Sequence, residues 1–137
     1  MSSQYEDKKR YLIKKKLIKS LAGLTFKMHK AGFNHKDFYL CHILINMDDK
    51  GESFRLYIVD LHRANLNGRV KLYFRIKDLA ALNYSAPKGI INRSDKLLFY
   101  KAYQGKGNYT LYDKFVIWCI LKKSQKIFRH ERKKIEV

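Results

Sequence analysis

The sequence has few of the devices that staple, anchor or export a chain. Cys41 and Cys119 are its two cysteines. They are too few for a disulfide framework and both sit among apolar neighbours, so they are expected to be reduced core thiols of a cytosolic protein. A chain of 137 residues can bury roughly 68% of its unfolded surface and needs no such staples. Pro87 is the single proline, and no low-complexity linker interrupts the order, so one domain over residues 1–137 is expected. The longest purely apolar run, residues 115–121, falls far short of the roughly 20 residues a membrane-spanning helix needs. Acids precede bases in residues 1–10 with no apolar run behind them, so no signal peptide is expected.

Acidic residues are also scarce, 12 against 30 lysines and arginines, for a formal net charge of +18. Such an excess calls for a large anionic partner, and nucleic acid, acidic lipid headgroups and phosphorylated sugars all qualify. No RNA-recognition, K-homology, helix-turn-helix or zinc-finger string accompanies the charge, so no specific nucleic acid is expected and a basic nucleic-acid-binding module remains an alternative on charge alone. No G-x-x-x-x-G-K-[ST] string occurs. Gly105-Lys106-Gly107-Asn108 lacks the third glycine and the preceding strand of a nucleotide loop, and reads as a turn between helices.

Apolar residues at Ile13, Leu17, Leu21, Leu24, Met28 and Ala31 recur at helical spacing, and Gly32 supplies a left-handed cap that ends the helix. Residues 1–10 are expected to fray. Residues 40–47 and 54–59 read as a hairpin turned by Asp48-Asp49-Lys50-Gly51. A loop is expected over residues 61–68 and a helix over 69–84, closed by Pro87 and Gly89. Ser94 is the expected N-cap of the next helix and Gly105 its end. In the last segment Leu111, Phe115, Trp118, Cys119 and Ile120 are expected to pack, whereas residues 122–137 read as a solvated basic helical tail.

One stretch carries chemistry. His35-Lys36-Asp37, with His42 five residues after the acid, matches the kinase catalytic loop H-R-D-x-x-x-x-N at its first and third positions. Asp60 follows a short apolar strand, where the metal-binding acid of D-F-G stands. Phosphoryl transfer needs one carboxylate to take or orient the attacking hydroxyl's proton and another to hold magnesium on the nucleotide, which suits Asp37 and Asp60 respectively. His35 is expected to be a buried group that orients this loop. Three roles stay open for His42: metal ligand, phosphate contact, or support for Asp37. The spacings of His29, His35, Cys41, His42 and His62 fit no structural zinc pattern.

The strings Met28-His29-Lys30-Ala31-Gly32-Phe33-Asn34-His35-Lys36-Asp37-Phe38-Tyr39-Leu40-Cys41-His42-Ile43-Leu44-Ile45, Val59-Asp60-Leu61-His62-Arg63-Ala64 and Arg75-Ile76-Lys77-Asp78-Leu79 resemble the bacterial lipopolysaccharide core kinases of the Kdo/WaaP type. Residues 94–103 are similar to that family too. The resemblance implies an α+β, mainly α fold: a protein-kinase-like C-terminal lobe whose small hairpin bears the site. It implies phosphate transfer from ATP with Mg2+ to a sugar of the lipopolysaccharide inner core, by a cytoplasmic protein peripheral to the inner membrane's anionic inner face. By the same carry-over, Asp37 and His35 belong to catalysis, Asp60 and His42 to nucleotide and metal, and Asp78 to support of the loop's backbone. Kinases carry a glycine-rich loop and a strand lysine upstream, but only about one helix precedes Asn34. The N-terminal lobe is therefore expected to be absent here or supplied by another chain. A truncated, inactive relative that keeps the fold is the second alternative.

Overall fold

The computed structural model describes residues 2–61, 65–66 and 70–136. Helix α1 (Ser2–Lys30) is helical from its first turn. No glycine or proline interrupts its start, and Glu6 and Arg10 share a face one turn apart. Its buried residues are Ile18, Ala22, Thr25 and His29, so the inward stripe lies one residue round from the expected one. Leu17, Leu21, Leu24 and Met28 are half-buried on its flank, and Ala31 is exposed. The polar pair decides the rotation: Thr25 Oγ1 donates to Leu21 O at 2.7 Å, and His29 finds partners on two other helices. A buried polar group without partners would cost more than a half-covered leucine.

Gly32, at φ 88°, turns the chain out of α1 into β1 (Phe33–Asn34), which pairs antiparallel with β4 (Asn65–Leu66). That pairing falls inside the expected loop; His62 and residues 63, 64 and 67–69 lie outside the described residues. The hairpin is shorter than expected. Residues Leu40–His42 form a 3-10 turn, and β2 (Ile43–Met47) pairs with β3 (Phe54–Ile58), Ile43 opposite Ile58 and Met47 opposite Phe54. Leu40 N–H donates to Ser85 Oγ at 2.8 Å, so that amide goes to a helix end. This turn leaves Cys41 exposed, and Cys119, on the last helix, is half-buried, so neither is a core thiol.

Helix α2 (Leu72–Ser85) buries Asp78 through Leu82 and packs against α4 (Leu111–Glu136), while α1 packs against α3 (Arg93–Gln104). Ala22, Leu79 and Tyr103 meet at the centre. Along α4 the expected packing of the first half holds in part: Ile120 packs against the core, and most of residues 122–135 are exposed. Leu111, Phe115 and Trp118 are 83%, 53% and 54% exposed, whereas Val116 and Ser124 are buried. Ser124 Oγ accepts from Asn83 Nδ2 at 2.9 Å and shares its one proton between Ile120 O at 2.7 Å and Ala80 O at 3.2 Å, which holds the second half of α4 on α2. No helix of the described residues is long and apolar enough to cross a membrane.

The cap of α3 is Asn92, not Ser94. Asp95 N–H donates to Asn92 Oδ1 at 2.9 Å and Asn92 N–H to Asp95 Oδ2 at 3.0 Å, a reciprocal capping box. Asn92→Ala is expected to lower the unfolding free energy in urea by about 1 kcal/mol, and Ser94→Ala by less than about 0.5 kcal/mol. Asp95 also meets Lys14 Nζ at 2.9 Å. Burial pushes its carboxyl up, but Lys14 and the Asn92 amide outweigh this and hold it below the ordinary 3.8. A depressed acid contributes stability above its unfolded value that is lost as pH falls. Thermal melts from pH 5 to pH 3 are therefore expected to show a smaller drop in Asp95→Asn than in the unsubstituted chain.

Candidate active site

Between α1 and the hairpin the chain passes under α2, where Asp78 is 1% exposed. Its Oδ2 accepts from His35 N–H at 2.9 Å and its Oδ1 from Lys36 N–H at 3.0 Å. His29 Nε2 lies 2.9 Å from the same Oδ2, and because a carboxylate only accepts, that nitrogen carries hydrogen. The other ring nitrogen of His29 meets Tyr103 Oη at 2.7 Å. Burial pushes the Tyr103 phenol up to about 12, against the pull of the Arg75 guanidinium, so the hydroxyl keeps the proton it donates to the ring. Residues of α1, α2 and α3 thus meet at one buried carboxylate.

His35 is fully buried. Its Nε2–H donates to Val59 O at 2.8 Å, leaving Nδ1 to accept from Asp37 N–H at 3.2 Å. The ring therefore joins the loop to the residue before Asp60. His42 stacks on it, with centroids 5.5 Å apart and planes at 19°. His42 Nδ1–H donates to Asp37 O at 2.7 Å, and its Nε2 stands 3.1 Å from Asp60 Oδ2. Asp37 is thus held by its main chain at both N–H and C=O, with its side chain half-buried, and one imidazole links it to the second acid.

Lys36 at φ 73° and Asp60 at φ 61° are the non-glycine residues with positive φ among those described. A residue so placed costs on the order of 1–3 kcal/mol, and such strain gathers at functional sites. Both flank the same stretch. Asp60 presents an exposed carboxylate beside the His42 ring. With Nδ1 committed to Asp37 O, His42 turns Nε2 toward that carboxylate. Among the described residues no three His, Cys, Asp or Glu side chains converge as a metal cage. Magnesium does not require one, since it commonly takes one or two carboxylates and completes its shell with water and substrate phosphate. The donor set fits such an ion.

Asp37, His35, His42, Asp60 and Asp78 are therefore brought together. His29 and Tyr103, which complete the buried network, escape a reading of motifs, although His29 continues the four-three-four series of Ile18, Ala22 and Thr25 along α1.

The family model "Lipopolysaccharide kinase (Kdo/WaaP) family" matches residues 2–103. The chain belongs to that family. It is 41% identical over 93 residues to the lipopolysaccharide core heptose(I) kinase WaaP of Pseudomonas aeruginosa, which is 66% of this chain and 35% of the relative. It is 39% identical over 93 residues to a WaaP from Escherichia coli, with the same shares. A solved structure of WaaP in complex with acyl carrier protein superposes with a TM-score of 0.71 at 32% identity, over 85% of this chain and 50% of that one. The chain thus spans about a third of the length of these curated relatives of the Kdo/WaaP family. Helix α4 lies beyond the residues that the family model matches.

Asp78→Asn places an amide N–H against donors that a carboxylate now satisfies. It is expected to cost about 3 kcal/mol in a denaturant melt, the scale for breaking a buried charged network, whereas Tyr103→Phe, which removes one hydroxyl, is expected to cost about 1 kcal/mol.

Proposed function

We propose that this chain is the catalytic-loop portion, a protein-kinase-like C-terminal lobe, of an ATP-dependent kinase acting on a sugar of the lipopolysaccharide inner core. The acceptor in the named relatives is a heptose, and a heptose is the first to test here. The observation that carries the reading is the bridge through His42, which ties the main chain of Asp37 to the carboxylate of Asp60. Phosphoryl transfer asks a protein mainly to position groups and neutralise charge, and this bridge positions two acids relative to each other.

Asp37 takes or orients the proton of the attacking hydroxyl. Asp60 holds the metal, and His42 keeps that carboxylate in place. His35 and Asp78 are positioning residues that act through the loop's backbone. Magnesium and ATP, when bound, supply the transferable phosphoryl group and offset charge on its oxygens. The nucleotide cradle of a kinase, a glycine-rich loop and a strand lysine, would come from outside these 137 residues. The +18 charge supports work on an anionic glycolipid at the inner face of the bacterial inner membrane, where each nearby base contributes about 1 kcal/mol.

On a protein that carries this segment together with its nucleotide cradle, assayed with labelled ATP and dephosphorylated lipopolysaccharide core as acceptor, Asp37→Asn is expected to lower turnover by about 10² to 10⁴-fold. Full turnover in that variant would remove Asp37 from its role.

A further inference from the structure

On the side of the loop away from α1, a cleft of about 410 Å³ opens between α2 and the second half of α4. That volume admits a group of sugar size or larger. Lys36 and Tyr39, the neighbours of Asp37 and Phe38, line it from the loop, and Lys77 lines it from α2. Helix α4 adds Lys123, Lys126, Arg129 and Lys133. Positions 123, 126, 130 and 133 fall three or four residues apart, so Lys123, Lys126, His130 and Lys133 share one helical face.

Six lysines and arginines thus surround this cleft, and Glu131 is the acid lining it among the described residues. Glu131 Oε1 lies 3.9 Å from Lys134 Nζ, so part of its charge is already answered. Like charges gathered around one concavity repel each other and raise the local concentration of anions. The walls do not spread to relieve that repulsion. Ser124 pins α4 to Ala80 and Asn83, and Asp78 pins the backbone of Lys36. The tail is largely exposed, yet Ser124 holds its start on α2, and several of its bases line a cleft that begins one residue from Asp37.

We infer that the cleft is the acceptor-side subsite, and that it binds a phosphate- or carboxylate-bearing sugar next to the sugar whose hydroxyl reaches Asp37. The inference rests on the kinase reading of Asp37. It adds α4, which lies outside the residues that the family model matches, to the substrate-binding surface. Lysine and arginine recognise such anions by charge-assisted hydrogen bonds, and Tyr39 gives the sugar ring an aromatic wall at the loop end.

The test is binding of a soluble, deacylated core oligosaccharide carrying its phosphates and carboxylates, measured by calorimetry on the full chain. The triple variant Lys77→Gln, Lys126→Gln, Arg129→Gln is compared with a control, Lys8→Gln, Lys9→Gln, Arg10→Gln, which removes the same charge from an exposed part of α1. The cleft variant is expected to bind about tenfold more weakly, the scale of three partly exposed charge contacts, and the control within about twofold of the unsubstituted chain. Equal losses in both would reduce the effect to net charge and overturn the subsite. Undiminished binding in the cleft variant would also overturn it. If phosphatidylglycerol vesicles bind through the cleft residues and the oligosaccharide does not, the anion is a lipid headgroup and the sugar assignment fails. Failure of the kinase reading looks different: turnover would survive Asp37→Asn, whereas failure of the subsite leaves turnover dependent on Asp37.

Discussion

Asp78 is a carboxylate taken out of water and satisfied by three donors, the amides of His35 and Lys36 and the ring of His29. Removing a charge from water is costly unless each lone pair finds a partner, so this one group fixes how α1, α2 and the loop meet. Lys36 adopts a positive φ where its amide turns toward that carboxylate. His35 then reaches the end of β3, and Asp37 and Asp60 come to opposite ends of one imidazole. The placement of the site follows from a buried group that is not itself at the reacting surface.

Much of this was legible because it is local. Gly32 marked the end of α1, Gly105 the end of α3, and the spacing from His35 to His42 and on to Asp60 marked the loop and the strand end. Family resemblance located Asp78 in sequence and its hold on the loop's backbone, though not the His29 ring that completes it. What could not be read was tertiary choice. The inward stripe of α1 is offset by one residue because Thr25 and His29 have partners that only the folded chain supplies. The hairpin begins at Ile43, not Leu40, because Ser85 of a distant helix takes the Leu40 amide.

The last helix shows the same limit in its charge pattern. Leu111, Phe115 and Trp118 look like a core stripe and the lysines after them like a tail, yet Val116 and Ser124 are the residues that α4 buries. Periodicity identifies a face without saying what will cover it. Here a serine's hydrogen bonds to α2 set the orientation, and they bring the basic face over a cleft beside the loop.

The account assigns different work to the two acids on one framework. Mn2+ in place of Mg2+, titrated with ATP onto the full chain and followed by electron paramagnetic resonance, tests that division directly. Bound Mn2+ should be lost in Asp60→Asn and kept in Asp37→Asn. Mn2+ held equally by Asp60→Asn would contradict it.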